Sequence, residues 1–283
     1  MRPLGGQTIL VTGSTDGLGL EVARRLAGQG ATVIVHGRSS ERLERALASV
    51  GSEAHADSVH GLLADLASLE DVRSLARDVD RDFERLDVLV NNAGIVETGA
   101  ERRQSADGHE LTFAVNYLSG FLLTLELLPR LRRSAPARIV NVALVGQRAI
   151  DFDDVMLERG YDGFRAYAQS KLAQVSFTFE LAARLEAAGE GGVTVNALHP
   201  ATLMDTKMVR RSFGRAMSSV EEGAEATVRL AADPELDGVS GRYFDGVVES
   251  AVDGQAYDPE ARRRLWELSE RLCGVEDRLG SSP

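Results

Sequence analysis

The sequence predicts an α/β fold built on one doubly wound parallel sheet of about seven strands, with helices on both faces. Short apolar runs of strand type alternate with amphipathic helical stretches along the chain, which is the pattern of parallel sheets. The first strand leads directly into a glycine-rich turn that opens a helix. Neither a repeat nor a linker interrupts the alternation, so residues 1–283 are expected to form a single domain.

The predicted elements follow one another in regular order. Most strands are short runs rich in Val, Ile and Leu, and the helices have apolar residues spaced by three and four. Pro129 predicts that the long fourth helix kinks or ends there. Strands are predicted at 7–12, 31–36, 59–63, 86–90, 138–142, 193–198 and 241–244, and helices at about 20–27, 40–50, 69–83, 107–131, 164–188, 219–232 and 259–272.

Composition limits the classes of partner. The net charge of −11 argues against nucleic acid or an anionic membrane surface as the main partner. Cys273 is the only cysteine in the sequence, which excludes an intrachain disulfide and a cysteine-based metal site. The N-terminal residues lack a signal-peptide pattern, and no apolar run approaches the ~20 residues of a membrane span. We therefore expect a cytoplasmic protein without a membrane span and without a bound metal.

A glycine-rich turn joins the first strand to the first helix. Glycines let the backbone pass close to a pyrophosphate, and a helix N-terminus offers N–H groups and the positive end of the helix dipole. The turn is therefore expected to bind a nucleotide cofactor, the alternative being an ordinary strand-to-helix connection. Its residues are Gly13, Ser14, Thr15, Asp16, Gly17, Leu18 and Gly19.

The second strand is followed by Arg38 and Ser39 rather than by a carboxylate. An acidic residue at this point would bind the 2′-hydroxyl of an adenosine ribose, whereas a guanidinium suits a 2′-phosphate through paired N–H donors. The sequence therefore predicts NADP(H) in preference to NAD(H). The alternative is a solvated arginine at the start of the next helix.

Tyr167 and Lys171 lie four residues apart on a predicted helix, so their side chains share one face. A free tyrosine titrates near ~10. A neighbouring ammonium stabilises the phenolate and is expected to lower that pKa, so the pair can transfer a proton near neutral pH. By itself the spacing is a weak signal, because such pairs are usually solvated surface residues.

From Thr12 to about Asp205 the chain resembles the short-chain dehydrogenase/reductase family. The glycine turn, the run 91–94 (Asn-Asn-Ala-Gly), the stretch around Asn116 and the tyrosine–lysine pair occur in the order of that family. The pattern is most similar to the retinol dehydrogenase and WW-domain oxidoreductase branch and its bacterial relatives. The resemblance implies a Rossmann fold and adds further cofactor-binding residues, namely Asp65, Leu66, Asn92, Ala93, Gly94, Pro200 and Thr202, together with Tyr167 and Lys171.

The resemblance also implies a catalytic mechanism. Tyr167 would donate a proton to a carbonyl oxygen while the nicotinamide delivers hydride. Lys171 would hold the nicotinamide ribose and lower the pKa of the tyrosine, and Asn116 would anchor a water that passes protons onward. The plainer role for Asn116 is a hydrogen bond to a helix backbone carbonyl.

One position departs from the family. Leu144 stands where the family places a serine that hydrogen-bonds the substrate carbonyl. Loss of one such donor typically costs ~10²–10³ in rate. Gln147 or Tyr161 could replace it as donor, the enzyme could be slow with Tyr167 alone on the oxygen, or the protein could perform another task on the same scaffold.

The segment of about 199–217 resembles a mobile substrate lid. Met204 and Met208 are expected to offer an adaptable apolar surface to the substrate. His199, just before it, is expected to be structural. The acidic segment 146–162 is expected to be a solvated loop at the pocket rim, because its carboxylates lack a convincing metal-ligand spacing.

The sequence thus predicts an NADPH-dependent reductase of a small or medium apolar ketone or aldehyde. Biosynthesis of a natural product would suit its altered site. The alternative is an NADP-binding protein of this fold without normal hydride transfer, such as an isomerase, a cyclase, a sensor or an interaction module. A homodimer or homotetramer is expected, through the long helices around Asn116 and Tyr167. The last helix is expected to cover the pocket or a subunit partner.

Overall fold

A sheet of eight strands forms the centre of the protein. The computed structural model describes residues 1–52, 54 and 57–275, so the last eight residues of the predicted domain, 276–283, lie outside it. The strands are β1 (Thr8–Val11), β2 (Thr32–Gly37), β3 (Val59–Leu63), β4 (Val88–Asn91), β5 (Ala137–Val142), β6 (Val193–His199), β7 (Tyr243–Asp245) and β8 (Val248–Glu249).

The strand order is β3-β2-β1-β4-β5-β6-β7-β8. β1 to β7 are all parallel, and β8 pairs antiparallel with β7. The predicted single-domain Rossmann-type fold is confirmed, and the two-residue β8 is an addition at the sheet edge. The order reverses between β1 and β4, so a ligand crevice is expected beyond the carboxyl ends of those strands.

Helices cover both faces of the sheet. Most begin at a side chain that accepts a backbone N–H, as Asp16 does for the first helix and Ser39 for the second. The helices are α1 (Gly17–Gly28), α2 (Ser40–Gly51), α3 (Leu69–Asp82), α4 (Leu111–Phe113), α5 (Ser119–Ser134), α6 (Gly163–Ala187), α7 (Lys207–Phe213), α8 (Val220–Ala232) and α9 (Pro259–Cys273).

The two faces of the sheet carry separate apolar cores. One core joins the sheet to α1, α2 and α8. The other joins it to α3, α5, α6 and α9, and contains most of the aromatic rings. Along β6 the side chains alternate between them, since Ala197 lies in the second core and Leu198 in the first. This alternation decides which strand-end residues face α6.

The structure differs from the prediction of one helix at 107–131. The helix begins at Leu111 because the Glu110 carboxylate accepts the N–H groups of Thr112 and Phe113. A π-helical turn, Ala114–Leu118, separates α4 from α5, and α5 continues through Pro129 to Ser134. Leucines on either side of the proline are fully buried, so packing outweighs the lost backbone bond.

The same segment, Leu111–Ser134, is long and apolar enough to span a membrane by length and composition alone. In the protein 83% of its most apolar window is buried against the sheet and neighbouring helices. A core helix of this kind meets the same criteria as a membrane helix, so the pattern is weak evidence for a membrane span.

α9 covers the outer face of α5 and α6. Trp266 is buried there, with its ring edge-on to Phe121 at 5.2 Å and stacked on Phe177 at 5.9 Å between ring centroids. The Arg184 guanidinium lies 4.2 Å from the same ring. α9 thus packs against part of the helices through which the sequence predicts a subunit contact.

Candidate active site

The glycine turn is pressed against the loop after β4. Gly13 and Gly17 have φ angles of +63° and +53°, which favour glycine. A Cβ on Gly13 would lie 2.8 Å from the Cα of Ala93, and one on Gly19 would lie 2.4 Å from Nδ2 of Asn92. Side chains are therefore excluded here, and the backbone remains open to a ligand at the N-terminus of α1.

Thr12 and Asn92 fasten these two loops together. The Thr12 hydroxyl accepts the N–H groups of Asn92 at 3.0 Å and Ala93 at 3.1 Å. Nδ2 of Asn92 donates to the Thr12 carbonyl at 2.8 Å. The predicted cofactor residues of both loops thus form one rigid cradle, continued by Gly94 toward Asn116 and Lys171.

His36 completes this cradle and was not among the predicted site residues. Its Nδ1 accepts the N–H of Gly13 at 3.0 Å, and its Nε2 lies 3.3 Å from the carbonyl of Ala64. Burial lowers the pKa of His36 to about 4, so the ring is neutral at pH 7 with the proton on Nε2. The ring therefore ties the glycine turn to the end of β3. Only its place at the end of β2 gave a signal in the sequence.

Two residues of the predicted glycine turn face inward. The Ser14 hydroxyl donates to the carbonyl of Val11 and accepts the N–H of His36, and Leu18 packs in the core. Their backbone, rather than their side chains, remains for a cofactor. The methyl group of Thr15 sits close to Gly37, where a Cβ would lie 2.4 Å away.

The predicted adenosine end of the cofactor site has an available cation. Arg38 is exposed, and its guanidinium has no hydrogen-bond partner among the described residues. Ser39 caps α2 by accepting the N–H of Arg42 at 3.5 Å. Asp65 uses one carboxylate oxygen on the N–H of Ala67 at 3.0 Å, while Leu66 is buried beneath it.

The predicted lid contacts the glycine turn. The Lys207 ammonium lies 2.7 Å from the Asp16 carboxylate. Partial burial raises the pKa of Asp16, but Lys207 and the N–H of Gly17 outweigh it and lower that pKa. A Cβ on Gly17 would lie 3.1 Å from the methyl of Thr206, which caps α7. The start of α7 therefore lies directly over the cradle.

Tyr167 and Lys171 lie on one face of α6 with the lysine nitrogen 5.8 Å from the tyrosine ring centroid. The Lys171 ammonium donates to the carbonyl of Val142 at 2.7 Å and to Oε1 of Gln174 at 2.8 Å. Burial raises the pKa of Tyr167 to about 12 and lowers that of Lys171 to about 7. The expected lowering of the tyrosine pKa is thus not found, because desolvation dominates and the ammonium is turned toward two oxygens.

Asn116 lies inside the π-helical turn, as π-turns often place functional residues. Its Oδ1 accepts the N–H of Ile95 at 2.7 Å, and its Nδ2 donates to the Ile95 carbonyl at 3.0 Å and to the Ser170 hydroxyl at 3.1 Å. The side chain therefore joins the loop after β4 to the helix that carries Tyr167. Its partners are a loop backbone and a serine rather than the helix carbonyl considered above.

The residues predicted to line the substrate pocket divide into two groups. Leu144 and Met208 are partly exposed at the carboxyl edge of the sheet and in the lid. The other three turn elsewhere. Tyr161 donates its hydroxyl to Glu110 at 3.1 Å, the Gln147 amide folds onto the carbonyl of Leu144 at 2.5 Å, and Met204 packs in the core beside Gly223.

These contacts correct the expected replacement donors. The Tyr161 hydroxyl is held by a buried carboxylate, and desolvation together with Glu110 raises its pKa to about 12. The Gln147 nitrogen is bonded to backbone of its own loop. In this conformation neither supplies the hydrogen bond that the family's serine would provide.

The predicted nicotinamide end of the cofactor site lies at the start of the predicted lid. Pro200 is buried, Thr202 is exposed, and the Thr202 hydroxyl lies 3.0 Å from Nε2 of His199. In the acidic segment before α6, Asp151 pairs with Arg165 and Asp154 accepts backbone N–H groups. Within the part of the chain that the structure describes, no group of three or more His, Cys, Asp or Glu side chains could hold a metal ion.

Fold and site together define an oxidoreductase of the Rossmann type, with a nucleotide cradle beside a tyrosine–lysine pair. A family model described as short chain dehydrogenase matches residues 7–215. The chain belongs to that family, in its retinol dehydrogenase branch.

Individual relatives agree with this assignment. Retinol dehydrogenase 13 of Mus musculus is 41% identical over 293 residues, covering 98% of this chain and 86% of the relative. Polyprenol dehydrogenase of Mus musculus is 40% identical over 292 residues, covering 97% of this chain and 86% of the relative. Among solved structures, RhlG of Pseudomonas aeruginosa with NADP has a TM-score of 0.70 at 27% identity, covering 87% of this chain and 97% of that chain.

Proposed function

We propose that the protein is an NADP(H)-dependent oxidoreductase that reduces a small or medium apolar ketone or aldehyde. The observation that carries the proposal is the position of Tyr167 and Lys171, joined through Ser170 and Asn116 to the loop that forms the glycine cradle. The glycine cradle fits a nicotinamide dinucleotide, because it excludes side chains at the N-terminus of α1. Two observations support NADP over NAD: the exposed Arg38 guanidinium has no hydrogen-bond partner among the described residues, and the related structure is an NADP complex.

Tyr167 is the proton donor in this proposal. With a pKa of about 12 its hydroxyl is protonated at neutral pH and can give its proton to a carbonyl oxygen. When bound, NADPH supplies the hydride. Once turned toward the tyrosine, protonated Lys171 would place positive charge near the phenolate that the transfer leaves, and Asn116 joins α6 to the loop after β4.

The exposed apolar surface of the predicted lid, at about 199–217, is an argument for an apolar substrate. Met208 and Phe213 expose apolar surface on α7, and the Phe213 ring lies 5.5 Å from that of Phe164 at the start of α6. The names of the relatives refer to retinol and polyprenol, which are apolar alcohols. A role in natural-product biosynthesis and a cytoplasmic location stay predictions from the sequence. A homodimer or homotetramer stays a prediction as well.

The test combines cofactor binding with turnover. NADPH binding is titrated by fluorescence, and NADPH oxidation is followed with decanal, acetophenone and retinal. We expect Tyr167→Phe to lower kcat by ~10²–10⁴ with an unchanged Kd for NADPH, because it removes a general acid and leaves the cradle intact. The exposed Tyr257, which stacks on Phe179, provides the control Tyr257→Phe, for which kcat stays at the wild-type value.

Leu144 favours the second candidate, an NADP-binding protein of this fold without normal hydride transfer. A leucine side chain cannot donate to the substrate oxygen, and the neighbouring Gln147 and Tyr161 are engaged elsewhere. Leu144→Ser is therefore measured in parallel. NADPH binding without turnover in the wild type, and none gained in Leu144→Ser, would contradict the reductase proposal and support this candidate.

A further inference from the structure

His199 ends the strand that lies beside the one leading to Leu144. It is the last residue of β6, and Leu198 before it pairs with Val142 at the end of β5. The N–H of Ala143 donates to the Leu198 carbonyl at 2.7 Å, so the chain leading to Leu144 runs beside His199. The two residues thus stand at the ends of neighbouring parallel strands, where ligands of such sheets bind.

The imidazole faces the side of the sheet that carries the catalytic helix. Side chains alternate along a strand, so His199 shares its face with Ala197, which packs in the core formed with α6. Lys171 reaches the same edge, since its ammonium bonds the Val142 carbonyl. The lysine charge also contributes to the electrostatic environment of His199. The two basic groups are therefore neighbours.

One ring nitrogen of His199 is paired and the other is not. The ring is 3% exposed, and Nε2 lies 3.0 Å from the Thr202 hydroxyl. Nδ1 is buried and has no hydrogen-bond partner among the described residues. A buried polar atom of this kind normally has a partner, which here is either an ordered water or a group of a bound ligand.

The neighbouring groups keep the ring neutral. Burial lowers the pKa of His199, and the charge of Lys171 lowers it further. The carboxylate of Asp245, which is the partner of His199 on the neighbouring strand β7, partly opposes these two effects. If the Thr202 hydroxyl donates to Nε2, the ring carries its proton on Nδ1. Nδ1–H is then a donor that stays available at neutral pH.

We propose that His199 is a ligand-binding donor whose Nδ1–H bonds a carbonyl oxygen in the active site. That oxygen belongs either to the substrate, where His199 takes over the task of the absent serine, or to the nicotinamide carboxamide. A neutral imidazole can polarise a carbonyl in this way. The proposal rests on the proposed function and extends it, because it names the donor that Leu144 cannot be.

The experiment compares His199→Phe, which keeps the ring volume and removes both nitrogens, with His199→Asn, which keeps a donor near Nδ1. His60, a partly buried histidine on β3 in contact with Phe83, provides the matched control His60→Phe. Each variant is titrated with NADPH and with 2′,5′-ADP, which lacks the nicotinamide. Turnover is measured with NADPH and retinal, also in the Leu144→Ser background.

A bond to the substrate oxygen predicts that His199→Phe lowers kcat by ~10²–10³ with an unchanged Kd for NADPH. The loss should shrink at least tenfold in the Leu144→Ser background and be partly restored in His199→Asn. A bond to the carboxamide predicts instead a Kd for NADPH raised about tenfold while the Kd for 2′,5′-ADP is unchanged, an effect near that of one hydrogen bond.

The outcomes separate this proposal from the proposed function. If the wild type binds NADPH without oxidising it, the proposed function fails and the comparison of NADPH with 2′,5′-ADP decides about His199. If neither kcat nor the NADPH-to-2′,5′-ADP ratio changes beyond its change in His60→Phe, the proposal for His199 is overturned. Thermal melting of every variant identifies a general loss of folding, which would weaken the binding of NADPH and of 2′,5′-ADP equally.

Discussion

Replacing His36 tests whether this buried ring holds the glycine turn in its binding conformation. In His36→Leu the N–H of Gly13 and the carbonyl of Ala64 lose their partners. Each buried polar group left unpaired costs about 1–3 kcal/mol. Because one of the two groups belongs to the glycine turn, we expect weaker NADPH binding in addition to lower stability. His36→Asn places an acceptor near Nδ1 and should restore most of the affinity.

The same ring predicts a pH dependence of the free energy of unfolding. The pKa of His36 is lowered from its ordinary 6.5 to about 4, so above pH 6.5 the ring is neutral in both states and contributes nothing. As the pH falls below 6.5, His36 binds a proton in the unfolded chain but stays neutral in the folded chain, so the free energy of unfolding decreases. Each pH unit corresponds to about 1.4 kcal/mol, so about 3 kcal/mol is lost by pH 4.

The assay is urea denaturation of the wild type, His36→Asn and the control His60→Asn at pH 7.5 and at pH 4.5. The wild type should lose about 2–3 kcal/mol more than His36→Asn over this interval, because the asparagine does not titrate. His60→Asn should follow the wild type. Equal losses in all three proteins, together with unchanged NADPH binding in His36→Leu, would refute the assignment of His36 as the neutral support of the turn.

Two further predictions concern the cofactor phosphate and the last helix. Arg38→Ala should raise the Kd for NADPH at least tenfold and leave the Kd for NADH nearly unchanged, as measured by fluorescence titration. The reason is that a charge-assisted bond to a phosphate is worth about 1.5–3 kcal/mol. Equal weakening of NADPH and NADH binding would contradict a preference for NADP. Trp266→Ala should lower the free energy of unfolding by about 3–5 kcal/mol in urea, against the exposed control Glu267→Ala, because it empties a buried aromatic site.

Local spacing predicted the parts of the site that backbone geometry decides. Tyr167 and Lys171 share a helix face because residues four apart must do so. The glycine turn adopts positive φ angles because it has the residues that allow them. Asn116 was found through a resemblance, and the structure adds the reason for its position, a π-turn that carries its amide to Ile95 and Ser170.

Side-chain direction beyond the elements could not be predicted in the same way. Tyr161 and Gln147 were expected to face the substrate because both are polar and follow Leu144 in the segment before α6. Their partners, Glu110 and the carbonyl of Leu144, are set by how the loop before α6 folds back. Met204 packs against Gly223 of α8, 19 residues further along the chain, where a larger residue would collide with its sulfur. Each of these contacts depends on tertiary packing rather than on local pattern.

The protonation of the central pair bears on the direction of the reaction. The spacing of Tyr167 and Lys171 predicted a lowered tyrosine pKa, but burial raises it to about 12, and the Val142 carbonyl and Gln174 hold the ammonium instead. Near neutral pH the tyrosine therefore carries the proton that carbonyl reduction requires. Alcohol oxidation needs the phenolate, which this arrangement disfavours until the lysine turns toward the ring or the pH rises. We therefore expect carbonyl reduction to run more readily than alcohol oxidation near neutral pH, and alcohol oxidation to gain rate as the pH rises.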